Sequence, residues 1–75
     1  MSKRLDKTIG AQLQYHRQEK GIKQDILAKQ LQVSSSYVSK IENGRIASSL
    51  VFFVRYCNAI HISPNDIVST INRFL

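Results

Sequence analysis

The sequence predicts an all-α fold, a compact bundle of five short helices, on three observations. Apolar residues recur at three- and four-residue spacing. Small polar residues and glycines stand where such stretches would start and stop. No segment alternates apolar and polar residues as a strand would, and there are no repeats or linkers. At 75 residues the chain has room for a single domain (residues 1–75). A domain of this size buries only about 60% of its unfolded surface, so a second copy would add useful apolar contact.

Residues 1–5 are polar and basic without periodicity and read as a flexible arm. Asp6 is placed to cap a first helix running to about Lys20, with Ile9 and Leu13 inward and Gly21 as its stop. Residues 23–44 form two short amphipathic helices around a tight turn. Ile26, Leu27, Ala28 and Leu31 recur at one-turn spacing, Val33 sits in the turn, and Val38 and Ile41 make a second apolar stripe. Ser34 or Ser35 can accept an orphan N–H at the start of the second helix, and Asn43-Gly44 supplies its left-handed stop. After a loop at residues 45–48, Ser48 or Ser49 caps a fourth helix, with Leu50, Phe53, Val54, Cys57 and Ile60 inward. Ser63-Pro64-Asn65-Asp66 then provides an N-cap, a proline at the first helical position and a carboxylate near the helix start, opening a fifth helix toward residue 75.

More apolar side chains remain than that core can hold. Val51, Phe52 and Tyr56 fall away from the inward stripe. Ile67, Val68, Ile71, Phe74 and Leu75 cover more of the fifth helix than one neighbour buries. Small monomers rarely expose such a patch. Residues 49–75 are therefore expected to supply both core and dimerisation helices, with Val51, Phe52, Tyr56, Val68, Ile71, Phe74 and Leu75 at a two-fold homodimer interface. The alternative is that these side chains wrap back over a monomeric core, with Phe74 and Leu75 as a lid.

The formal charge of +6 is unevenly placed. Lys3, Arg4, Lys7, Arg17, Lys20, Lys23, Lys29, Lys40 and Arg45 precede residue 46, while only Arg55 and Arg73 follow it. The basic end is expected to face a polyanion, leaving the near-neutral end for self-association. The outward positions of the second short helix, Ser35, Ser36, Ser39 and Lys40, suit that role, because small hydroxyls and one long cation replace the mixed charges of a solvated face.

An enzyme is not expected. His16, His61 and Cys57 lack metal-ligand spacing, the acids Asp6, Glu19, Asp25, Glu42 and Asp66 are dispersed, and there is no glycine-rich phosphate loop. No metal or other cofactor is expected. Cys57, the only cysteine, reads as a small buried hydrophobe. No apolar run approaches the roughly 20 residues that span a bilayer, and the N-terminus lacks a signal-peptide core, so a cytoplasmic location away from the membrane is expected.

Residues 9–67 resemble the helix-turn-helix domain of phage repressor and Cro-like regulators, the Xre family, and are similar to small restriction-modification controller proteins. The resemblance rests on Gln24 with Leu27-Ala28, on Val33-Ser34 in the turn, and on Val38-Ser39-Lys40-Ile41-Glu42-Asn43-Gly44. Arg17 also stands where the family places an arginine that pairs with the glutamate matching Glu42.

The resemblance implies a sequence-specific double-stranded DNA-binding transcription regulator, bacterial or phage-encoded, working on the nucleoid as a homodimer at a two-fold symmetric operator. Ser35, Ser36, Ser39 and Lys40 would read base edges, Lys40 suiting the guanine O6 and N7 acceptors. Lys23, Gln24, Tyr37, Asn43, Arg45 and Arg17 would meet phosphates, with helix N-termini assisting. Tyr37 has packing on the helix surface as its alternative role, and Arg45 that of a solvated side chain. Arg17 and Glu42 would form a structural ion pair. The Lys3, Arg4 and Lys7 arm either reaches a neighbouring groove or is a solubilising tail. Three positions depart from the family pattern: Lys23 in place of a Thr or Ser cap, Gln32 in place of a turn glycine, and His16 in place of an aliphatic residue. A second reading is a DNA-binding antitoxin that neutralises a toxin and autoregulates its operon. RNA polymerase or a toxin are thus the candidate further partners.

Overall fold

A computed structural model describes residues 3–73, and five α-helices follow one another there with no strand: α1 (Lys3–Glu19), α2 (Gln24–Gln30), α3 (Ser35–Glu42), α4 (Leu50–Ala59) and α5 (Pro64–Asn72). Three helices open on serine. The Oγ atoms of Ser34, Ser49 and Ser63 accept the backbone N–H groups of Tyr37, Phe52 and Asn65, satisfying donors that the first turn leaves free. Lys23 precedes α2 in extended conformation and makes no side-chain cap bond, as its replacement of a hydroxyl cap requires.

The first four helices close in one way. A residue with positive φ follows each: Gly21 at 68°, Gln32 at 60°, Gly44 at 71° and His61 at 61°. The next residue's N–H reaches back to the last full turn, pairing Ile22 with Arg17, Val33 with Ala28, Arg45 with Lys40 and Ile62 with Cys57. Gln32 and His61 accept the left-handed conformation without being glycine, so both turns hold backbone strain. Ile22, Val33 and Ile62 complete their closures by packing on the core. Arg45 occupies the equivalent place after α3 and is exposed.

The core gathers Leu13 of α1, Leu27 and Ala28 of α2, Val38 and Ile41 of α3, Phe52, Phe53, Tyr56 and Cys57 of α4, and Ile67 and Ile71 of α5. Here α1 rests directly on the end of α3. A Cβ at Gly10 would stand 2.2 Å from the Ile41 carbonyl oxygen, and one at Gly44 would stand 2.5 Å from the Lys7 Cα. Glycine at both places permits the close approach.

Several expectations need correction. Lys3, Arg4 and Leu5 belong to the first turns of α1 and not to a flexible arm, because Leu5 and Ile9 pack on the core and extend the helix N-terminally. The inward face of α4 is rotated from the expected stripe. Phe52 and Tyr56, expected at a dimer interface, are buried within the chain, whereas Leu50 and Val54, expected inward, are exposed. Ile71 is likewise covered, and Ile26 on α2 points outward. Val51 and Val68 remain exposed. Phe74 and Leu75 of the expected interface, and the first two residues of the expected arm, lie outside the described residues.

Candidate nucleic-acid interface

The outward face of α3 presents Ser35, Ser36 and Lys40 to solvent, with Ser39 half-buried. Their spacing is helical, so they share a face opposite Val38 and Ile41, which face the core. Ser39 is oriented by its neighbour one turn on. Asn43 Nδ2 donates to the Ser39 carbonyl oxygen at 2.8 Å and to Ser39 Oγ at 3.2 Å. With an Oγ lone pair thus engaged, the Ser39 hydroxyl keeps its own proton to offer, which suits an acceptor on a base edge. Asn43 therefore holds the Ser39 side chain in place.

Lys23, at the start of α2, and Arg45, in the turn that closes α3, are both exposed. Tyr37 is half-buried and sets its ring edge-on against Phe52, with centroids 5.1 Å apart. Its packing role is thus present in the fold, at the margin of the exposed α3 face.

Behind α3 lies a buried polar cluster centred on the Glu42 carboxylate. Arg17 Nε donates to Oε2 at 2.8 Å and Arg17 Nη2 to Oε1 at 3.1 Å, a bidentate pair. Arg17 Nη1 donates to the Ile22 carbonyl oxygen at 2.8 Å. Arg17 is therefore buried with all three nitrogens bonded inside the protein, and its expected place among the phosphate contacts is corrected to a structural one. The hydrogen bond to Glu42, with the attraction between the charges, raises the Arg17 pKa beyond its usual value despite the opposing effect of burial.

Gln24 Nε2 donates to Glu42 Oε1 at 3.1 Å, so the amide expected to meet phosphate keeps one N–H for that purpose. The Tyr56 hydroxyl donates to Glu42 Oε2 at 2.5 Å, with the Leu13 carbonyl oxygen also in reach at 3.2 Å. Burial, reinforced by the Glu42 hydrogen bond, holds this phenol protonated far above the ordinary tyrosine range. The sequence reading missed Tyr56 in this cluster. The available signal was chemical, since a tyrosine sunk in a core needs a partner for its hydroxyl. It also missed Arg55, whose Nη2 donates to the Leu31 carbonyl oxygen at 3.0 Å and satisfies the end of α2.

No helix among the described residues is long and apolar enough to cross a membrane.

Residues 8–68 match a family model described as a helix-turn-helix domain. Among known proteins, the chain is 38% identical over 64 residues to the ImmF control region 10 kDa protein of Bacillus phage phi105, covering 85% of this chain and 71% of that protein. Its fold is similar to the clp gene regulator ClgR of C. glutamicum at a TM-score of 0.87 and 30% identity, over 95% of this chain and 92% of that one. It is also similar to the restriction-modification controller protein C.AhdI of Aeromonas hydrophila at a TM-score of 0.76 and 31% identity, over 81% of this chain and 92% of that one. An outward helix of hydroxyls and one lysine, set by a buried Arg–Glu pair on a basic all-α scaffold, agrees with these likenesses: the chain belongs to the helix-turn-helix domain family, as a non-enzymatic, double-stranded DNA-binding regulator of the Xre type.

Proposed function

We propose that the protein is a homodimeric, sequence-specific transcription regulator that acts in the cytoplasm on an operator with two inverted half-sites, in the manner of a phage repressor or a restriction-modification controller. The observation carrying the dimer is a set of exposed apolar side chains, Leu50 at 77% exposure, Val51 at 69% and Val54 on α4, with Val68 at 51% on α5, of which Leu50 and Val68 line one groove. Apolar side chains grouped this way are costly to leave in water and suit a self-complementary contact. A two-fold pairing would place two copies of α3 in successive major grooves, roughly 34–36 Å apart.

In each copy Ser35, Ser36, Ser39 and Lys40 face base edges, and Lys23, Gln24, Asn43 and Arg45 approach phosphates, with Tyr37 at the margin. Glu42 is paired internally, so the DNA-facing charge comes from the lysines and Arg45. The test is a footprint of the purified protein on the DNA flanking its own gene, at a fixed salt concentration, because the electrostatic part of binding is salt-dependent and sequence-blind. Two protected inverted half-sites one helical turn apart are expected. Binding without a boundary, together with recovery of a toxin as a stable partner chain, would replace this reading with the antitoxin one.

A further inference from the structure

We propose that Lys3 and Lys7, together with Arg45, form a rigid clamp for backbone phosphates beside α3, made by the first two turns of α1. This deepens the double-stranded DNA-binding reading and rests on it.

Lys3, Lys7 and Gly10 fall on one stripe of α1, at helical spacing. That stripe runs onto the end of α3. Gly10 abuts the Ile41 and Glu42 carbonyls, and the Lys7 backbone and Cβ abut Gly44. The Lys7 side chain therefore leaves α1 where the chain turns away from α3, one residue before Arg45. Arg45 is tied to α3 by its N–H bond of 2.9 Å to the Lys40 carbonyl oxygen. Lys40 and Arg45 belong to α3 and its closing turn, and Lys7 and Lys3 continue from there along α1. All four residues are exposed.

The residue types run against the needs of the helices that carry them. Cations in the first turns of α1 oppose its dipole, and like charges at i and i+4 repel. Arg45 stands where the equivalent residues after α1, α2 and α4 are apolar and packed on the core. Of the acids near this end, Glu42 is paired with Arg17, which leaves Asp6, half-buried beside Lys7. A sequence that breaks local preference repeatedly in one place is answering to something outside the fold, and a row of cations beside a DNA-facing helix fits phosphates. The competing role is internal: the lysines would merely complement the negative end of the α3 dipole.

The experiment measures affinity of the full chain for a short duplex of random sequence across a series of salt concentrations, for wild type, Lys7→Ala, Lys3→Ala/Lys7→Ala, Lys7→Arg and Lys20→Ala. Each phosphate contact contributes about 0.9 to the slope of log K against log salt. Lys7→Ala should lower the slope by about 0.9 and the double variant by about 1.8, while Lys7→Arg should keep it. Lys20→Ala removes the same charge roughly 20 Å away, just past the far end of α1, and should leave the slope unchanged. A wild-type slope retained in Lys7→Ala, or an equal drop in Lys20→Ala, overturns the clamp. A lower melting temperature with an unchanged slope also overturns it, in favour of the dipole role. If wild type bound no duplex at all, the DNA-binding reading would fail first and the clamp with it.

Discussion

The Tyr56 hydroxyl stands 2.5 Å from Glu42 Oε2, and this contact fastens α4 to the end of α3. The same carboxylate takes Nε and Nη2 of Arg17 from α1 and the Gln24 amide from α2. Every acceptor site of Glu42 is thus occupied, each by a different donor group or atom. The outward face of α3 depends on this, since the direction in which Ser35, Ser36, Ser39 and Lys40 point is fixed by the group that anchors the other side of their helix.

Tyr56→Phe removes the hydroxyl and leaves Glu42 with one bond fewer in a buried site. The expected loss is about 1–3 kcal/mol of stability. For a domain of this size each kcal/mol lowers the melting temperature by roughly 4–8 °C. Thermal unfolding by circular dichroism measures it directly, and a melting temperature equal to wild type would show that the contact contributes nothing.

Arg17 and Glu42 should be strongly non-additive. Arg17→Met leaves a buried carboxylate without its counter-charge and should cost about 3–5 kcal/mol, a large part of the total stability of a small domain. Arg17→Met/Glu42→Leu removes both charges and should be more stable than Arg17→Met alone. Urea titration of the variants decides this; a double variant at least as unstable as the sum of the singles would contradict it.

The parts of this fold legible in the sequence were those with local chemical signals. Ser34, Ser49 and Ser63 announce helix starts, and Gly21 and Gly44 announce ends, because capping depends on a few adjacent atoms. The face of α4 was not legible. The run Leu50-Val51-Phe52-Phe53-Val54 is apolar on every side, so periodicity fits an inward stripe through Leu50 and Val54 as well as one through Phe52 and Tyr56. Tertiary chemistry chooses between them, since Glu42 lies within reach of the Tyr56 hydroxyl. The early start of α1 was masked by the charges of Lys3 and Arg4, although Leu5, Ile9 and Leu13 recur every four residues. At the site, which positions face outward followed from spacing, but the bonds that hold Gln24 and Arg17 inside the protein join residues distant in sequence.

Alkaline pH should destabilise the fold in a window set by Cys57. Burial, with a smaller effect from the Asp66 charge, pushes its thiol up from the ordinary range to about 11. The unfolded thiol loses its proton first as pH rises, so the unfolded chain binds fewer protons and stability falls between about pH 9 and pH 11. Tyr56, also raised, acts in the same direction above its ordinary range. Melting temperatures taken across this window should fall less steeply for Cys57→Ala than for wild type. Parallel curves would remove Cys57 from the cause.

Lys40 and Arg45 should separate into base and backbone contacts. Lys40→Ala should relax discrimination at one base position by about 1–3 kcal/mol while leaving the rest of the site selective. Arg45→Ala should weaken binding to all sequences and reduce the salt slope by about 1. Affinities over a panel of single-base operator variants distinguish the two patterns. A uniform loss for Lys40→Ala would move that lysine to the phosphates.

The dimer is best probed at Val51, because that side chain is exposed and Ile71 is not. Glutamate in place of Val51 puts a charge in the middle of the proposed contact without disturbing the core. It should give a folded protein with the wild-type melting profile at low concentration and a monomer mass by sedimentation. Ile71→Glu buries a charge against the core and should unfold the chain instead. Operator binding by Val51→Glu should weaken more than its binding to random duplex, because a two-fold site needs two linked copies whereas nonspecific binding needs only phosphates. An unchanged sedimentation coefficient for Val51→Glu, in a wild type that sediments as a dimer, would shift the contact away from α4.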